Sequence, residues 1–227
     1  MSLKINFNWK QVLKWGAIVA FGILFLIFFI RVATFEDSYY REKEGSERAE
    51  AVAIEEDVLD EVVPTEEQVT EYTVAADRPR YLSIPKLGIT NARVIAVGVK
   101  SNGELGTPNN IFDVGWYDAS GKPGYGKVLV IDGHNGGPNV HGVFKELPKL
   151  VEGDVIKIER GDGEIFEYKV ADNKEVSLDA ADEYMKTAFK TPVPGKESLT
   201  LISCTGEWSQ VRKTYLSRQF TRAILVD

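Results

Sequence analysis

The chain holds one cysteine, Cys204, and two histidines, His134 and His141. A lone thiol cannot close an intrachain disulfide, so its use is packing or reactivity. Cys204 ends the apolar run Leu199-Thr200-Leu201-Ile202-Ser203, which breaks into Thr205-Gly206. His134 stands in a matching place, after Val128-Leu129-Val130-Ile131 and Asp132-Gly133. Both runs are rich in β-branched and aliphatic residues and read as strands. A chemically able residue at each of two strand ends lets a rigid sheet hold a nucleophile and a base at fixed distance. The plain alternative is packing, because free cysteine is among the most buried residue types and behaves as a small hydrophobe.

The chemistry needs both residue types. A free thiol with a pKa near 8.5 is only about 3% thiolate at pH 7, and cysteine attacks as the thiolate. A histidine can hold the thiol proton and then give it to a departing amine, which splits one hard amide cleavage into two acyl transfers. His141, followed by Gly142 and set in an expected helical turn, is left without a role. One cysteine and two histidines separated by Asn135 to Val140 do not make a zinc spacing. Gly161-Asp162-Gly163 has the flanks of a hairpin turn, not of a phosphate-binding loop. The scattered acids leave a calcium site open.

The elements that must position these residues begin at Pro79. Arg80–Ile84, Ala92–Val97, Lys127–Ile131, Val155–Ile158, Ile165–Val170, Ser198–Ser203 and Arg218–Val226 read as strands. Turn signals separate them at Lys86-Leu87-Gly88, Ser101-Asn102-Gly103, Gly161-Asp162-Gly163 and Pro192-Val193-Pro194-Gly195. Seven or eight strands in about 150 residues predict a closed barrel or a sandwich. Helix is expected only near His141 to Leu150 and Ala180 to Phe189.

Charge divides the chain of 227 residues into three parts. Residues 1–35 carry Lys4, Lys10, Lys14 and Arg31 and no acid; residues 36–78 hold 15 acids against four bases; residues 79–227 carry 19 of each. The net charge of −7 therefore belongs to the middle, and the neutral C-terminal part gives no sign of a nucleic-acid partner. Residues 15–33, with Trp15 to Ile30 uncharged, read as an uncleaved transmembrane anchor long enough for a hydrocarbon core of about 30 Å. Lysines before the span and acids after it put residues 1–14 in the cytoplasm and everything after the span outside the cell. Residues 34–78 are rich in Glu and poor in aromatics, and read as a flexible, self-repelling extracytoplasmic linker.

Thr200-Leu201-Ile202-Ser203-Cys204, with Gly133-His134 before it and Arg218 after it, resembles the sortases, membrane-anchored cysteine transpeptidases of bacterial surfaces. Their signature is a Thr-Leu-x-Thr-Cys strand end, an arginine on the next strand and an earlier histidine. The resemblance spans roughly Tyr81 to Val226 and takes in Ile84–Ile89, Val114–Tyr117, Val143–Leu147 and Val151–Val155. Gly115-Trp116-Tyr117 is closer to the class D, E and F groups than to class A. Ser203 departs from the commoner threonine but keeps a hydroxyl.

The resemblance implies a mainly β fold: a closed barrel of about eight strands with short helices over residues 79–227, behind one transmembrane helix and a stalk. It implies Cys204 as nucleophile, His134 as acid and base, and Arg218 as the group that steadies the oxyanion, with no cofactor. Arginine suits that task because it is always charged and presents several donors. The long segment from Cys204 to Arg218 leaves Arg212 as a rival, and Arg222 shares a strand face with Arg218. The implied reaction cleaves a Leu-Pro-x-Thr-Gly-like sorting signal between Thr and Gly. The implied partners are surface proteins or pilins bearing that signal, an amine of a peptidoglycan precursor or pilin lysine, and the membrane. Two other classes fit parts of the sequence. An L,D-transpeptidase-like wall enzyme also uses Cys and His, although its nucleophile usually follows His-Gly. A non-enzymatic anchored β-domain would leave the meeting of Cys204, His134 and Arg218 a coincidence.

Overall fold

The computed structural model describes residues 59–100 and 103–226. Among the described residues there are eight strands: β1 (Pro79–Ile84), β2 (Ile89–Val97), β3 (Val114–Tyr117), β4 (Val128–Gly133), β5 (Val155–Arg160), β6 (Ile165–Ser177), β7 (Ser198–Ser209) and β8 (Thr214–Leu225). They close into a barrel in the order β1-β2-β3-β4-β7-β8-β6-β5, with β1 paired to β5 to complete the ring. This settles the choice between barrel and sandwich, and among the described residues helix is as sparse as the sequence predicts for the C-terminal part. Two pairs are parallel, β2 with β3 and β4 with β7. A parallel pair needs a long crossover, and the one from β4 to β7 carries β5, β6 and the helix α2 (Leu178–Ala188).

Alternation along the strands sorts side chains onto two faces. Leu129 and Ile131 of β4 and Leu199 and Leu201 of β7 enter the barrel, where each is 0% exposed. Burial of each such side chain is worth about 1.5–3 kcal/mol. The other face of the sheet, with Val130 of β4, Ile202 of β7 and Phe220 of β8, is also buried because Tyr184, Met185 and Ala188 of α2 pack on it. The last carbonyl of α2 is not left bare, since the buried Thr200 hydroxyl donates to Ala188 O at 2.8 Å.

Three regions differ from the sequence reading. The strand bearing Cys204 does not end there: β7 runs on to Ser209, and the expected loop is a β-hairpin with Gln210–Lys213 at its tip. The register shifts between Thr205 and Trp208, where Gly206 takes a φ of 80°, so the turn signal marks a bulge inside a strand. Val114–Tyr117, recognised as a phrase but not as a strand, is β3 and adds an eighth stave.

The third difference concerns the linker. Residues 59–78, read as flexible stalk, lie on the barrel. Asp60 exchanges backbone hydrogen bonds with the Asn109–Ile111 segment, and Glu61 accepts from both the backbone and side-chain amides of Asn139, each at 2.9 Å. A short helix, α1 (Glu66–Thr70), follows with a capping box built by Thr65 and Gln68. Beyond it, the Tyr72 hydroxyl donates to Val94 O at 2.6 Å, and the Tyr81 hydroxyl donates to Val69 O. Apolar content underrates this segment because polar contacts attach it. Among the described residues, no helix is long and apolar enough to cross a membrane. The span expected at 15–33 and the linker up to residue 58 lie outside them.

Candidate functional site

The parallel pairing of β4 and β7 matches Val130 with Thr200, Ile131 with Leu201 and Asp132 with Ile202. Continuing that register by two residues brings His134 level with Cys204. The strand ends are tied there, because the buried Ser203 hydroxyl donates to Gly133 O at 2.9 Å. This gives a structural use to the hydroxyl at position 203. On the other side of β7, Cys204 pairs directly with Arg218 of β8. Cys204 and Arg218 thus share a row on the face where Ile202 and Phe220 also lie, and His134, one residue past the end of β4, continues that row.

The backbone around His134 is fixed. Phe144 N donates to His134 O at 2.9 Å, and Gly142 N donates to Asn135 O at 2.8 Å, closing the 135–142 loop. Residue 142 has no space for a side chain, since a Cβ there would lie 2.4 Å from His134 O. The imidazole is held from the connection between β2 and β3, where its Nε2 meets Pro108 O at 2.8 Å. Two residues back, Asp132 Oδ2 accepts from the Thr107 hydroxyl at 2.7 Å, while Asp132 Oδ1 and Asn135 Oδ1 are shielded from solvent with no hydrogen-bond partner among the described residues.

Burial sets the electrostatics. It pushes the Cys204 thiol above its ordinary value of 9.0; Arg218 pulls it down, and Asp132 and Glu104 add to the rise. Burial lowers His134 below its ordinary 6.5, against the opposing effect of the Pro108 carbonyl. Both shifts favour a neutral thiol beside a neutral imidazole. Asp132 is pushed up by burial to about 7, with the Thr107 hydroxyl opposing.

The three arginines separate cleanly. Arg218 sits beside Cys204, with its fork donating to Tyr215 O and Ser217 O at 3.0 Å and to the Thr214 hydroxyl at 3.2 Å. Arg212 is exposed and paired with Asp179 at 2.7 Å. Arg222 is paired with Asp172. His141 is exposed, in an isolated bridge with Gly136. Among the described residues no cluster of three or more His, Cys, Asp or Glu could hold a metal ion.

Sequence reasoning missed Asp132, Thr107 and Pro108. A charged residue interrupting the apolar run two places before His134 was a usable signal for Asp132. Nothing in the spacing pointed to Thr107 and Pro108, which reach the site across a loop.

Comparison with known proteins bears on the domain that carries these residues. The sortase domain model matches residues 82–226. Among solved structures, the chain is similar to sortase C of Streptococcus pneumoniae, at 18% identity over 75% of this chain and 79% of that one, with a TM-score of 0.48. It is similar also to the sortase D5 transpeptidase of Clostridium perfringens, at 21% identity over 72% and 90% and a TM-score of 0.46. For a lid mutant of sortase A from Corynebacterium diphtheriae the figures are 29%, 67% and 73%, and 0.45. No curated protein matches the chain. A sortase domain model that takes in nearly the whole barrel places this chain in the sortase family of cysteine transpeptidases.

Proposed function

We propose that the chain is a membrane-tethered transpeptidase that cuts a Leu-Pro-x-Thr-Gly-like sorting signal and passes its acyl part to an amine. The observation that supports this reading is the register of the parallel β4–β7 pair, which carried two residues on puts His134 level with Cys204, beside the tie from Ser203 to Gly133. Cys204 Sγ gives its proton to His134 and attacks the threonine carbonyl carbon. The Thr–Gly C–N bond breaks as His134 protonates the departing glycine amine, leaving a thioester on Cys204. An incoming amine then attacks that carbonyl, yields a proton to His134 and expels the sulfur, which recovers the proton.

Arg218 supplies fixed positive charge beside Cys204 for the oxyanion of both tetrahedral steps. Its fork is engaged by its own strand, so direct donation to the oxyanion requires the side chain to turn. The substrates fitting this chemistry are surface proteins or pilins carrying the signal, with a peptidoglycan precursor or a pilin lysine as amine donor. The apolar run at 15–33, with its lysines before and acids after, supports a single span with the barrel outside the cell.

A sorting-signal peptide ending in a vinyl sulfone tests the reading. It should label the wild-type chain once, at Cys204, and leave Cys204→Ala unlabelled; a folded wild-type chain that resists labelling would overturn the proposal. Protease added to protoplasts should release the barrel by cutting between residues 36 and 58. A protected barrel would reverse the orientation.

A further inference from the structure

Thr107 and Pro108 are consecutive, and each engages β4 or its end. The Thr107 hydroxyl donates to Asp132 Oδ2, and the Pro108 carbonyl meets His134 Nε2. One dipeptide is therefore clamped at two points spaced two residues apart. A carbonyl oxygen only accepts, so Nε2 carries the hydrogen, and in the neutral ring the lone pair falls on Nδ1.

The sheet makes room for this clamp. Gly115 of β3 lies opposite Asp132 in the register. A Cβ at residue 115 would come within 2.3 Å of Asp132 Oδ1 and 2.9 Å of Pro108 Cδ, so the one missing side chain admits both the carboxylate and the proline. Asp132 Oδ1 remains without a partner among the described residues. A shielded carboxylate oxygen left unpaired costs stability, a cost that a use beyond packing would offset.

We propose that Asp132 is a positioning residue for His134: by holding Thr107 it fixes the Pro108 carbonyl, which selects the Nε2–H tautomer and leaves Nδ1 as the base. The inference rests on the reading of Cys204 and His134 as nucleophile and base. Burial opposes charge on Asp132, and Thr107 acts against that opposition, so the contact also steadies the carboxylate. The other charged or titratable groups that bear on this region are Lys100, whose field reaches Asp132 and His134, and Cys204 of β7, which feels Asp132 together with Glu104 and Arg218.

The test uses the full chain, with a sorting-signal peptide and an amine acceptor, and reads both kcat and the ¹⁵N shifts of the His134 ring. Thr107→Val keeps the shape but removes the hydroxyl. It should lower kcat by roughly 10- to 100-fold with KM little changed, and should replace the single Nε2–H tautomer by a mixture. Thr107→Ser should restore both. Wild-type kcat and ring shifts in Thr107→Val, or a loss that serine does not repair, would overturn the proposal. Asp132→Ala is the second probe, and a pure Nε2–H tautomer in that variant would also overturn it. The ring shifts need no turnover, so they stand apart from the catalytic reading, which fails separately if Cys204→Ala stays active.

Discussion

The two ends of the β4–β7 pair each bury a carboxylate and treat it in opposite ways. At the start of β7, Glu197 is 5% exposed and fully engaged: Tyr168 donates its hydroxyl at 2.6 Å, and the Gly124 and Gly126 amides donate at 2.9 and 2.6 Å. Burial first, and then this hydrogen bond to Glu197, raise the Tyr168 phenol. At the other end Asp132 has the Thr107 hydroxyl on one oxygen and, among the described residues, no side-chain partner on the other, two residues before His134. The orphan atoms do not all lie there, since Ser198 Oγ beside Glu197 is also unpaired. The carboxylates still differ. A satisfied one stitches a turn to the barrel, and an unsatisfied one keeps an electrostatic charge movable beside a reactive pair.

The sharpest test of that contrast is Cys204→Ala, which should abolish transpeptidation and leave the melting temperature near wild type. Residual turnover close to wild type would remove the chemistry from this end altogether. Next, Arg218→Lys keeps the charge but loses the fork, and kcat should fall roughly 10²- to 10³-fold. Arg212→Lys, at the exposed hairpin tip, should stay near wild type; the reverse pattern would reassign the third residue.

The opposite end predicts a loss of a different kind. Glu197→Ala strands two amide donors and a phenol, so it should cost about 3 kcal/mol or more in denaturant unfolding. Its folded fraction should turn over within about twofold of wild type. A large drop in kcat at unchanged stability would erase the distinction between the ends.

Smaller effects come from pH. With one proton shared by the pair, kcat/KM should be bell-shaped, its acid limb below 6.5 and its alkaline limb above 9.0. Asp132→Asn removes a negative charge that disfavours the thiolate, so the alkaline limb should move to lower pH. The same variant reports on stability. Asp132 is held near 7 in the fold against an ordinary 3.8, so the folded chain binds the proton more tightly and wild-type stability declines across that interval as pH rises. The melting-temperature advantage of Asp132→Asn should therefore grow from about pH 4 to 7 and then level off. A constant difference across that range would show that Asp132 does not titrate as its burial demands.

Much of the barrel was legible because runs of β-branched and aliphatic residues and the turn residues between them are local signals. Val128–Ile131 and Leu199–Ile202 announce strands, and Gly161-Asp162-Gly163 announces the β5–β6 hairpin. The placing of Cys204 and His134 on neighbouring strands was readable for the same reason, since each follows such a run. Gly206 misled, because a glycine that needs φ > 0 looks alike in a loop and in a bulge. The clamp through Thr107 and Pro108 was not legible: Pro108 lies 26 residues before His134 and Thr107 25 before Asp132, and polar tertiary contacts have no periodicity. Residues 59–78 were misread on composition, which records apolar content and not the partners of Asp60, Glu61 and Tyr72.

The tie between Ser203 and Gly133 joins residues 70 apart in the chain, across a parallel pair that exists only when the intervening strands have found their places. Contacts of such separation form late, after the loop entropy they cost has been met by the rest of the fold. A ribosome delivers the histidine well before the cysteine, and the arginine strand last of all. Until β4 and β7 zip together, the thiol is an ordinary one with no base at hand. The levelling of histidine, cysteine and arginine is thereby postponed to the final stage of folding.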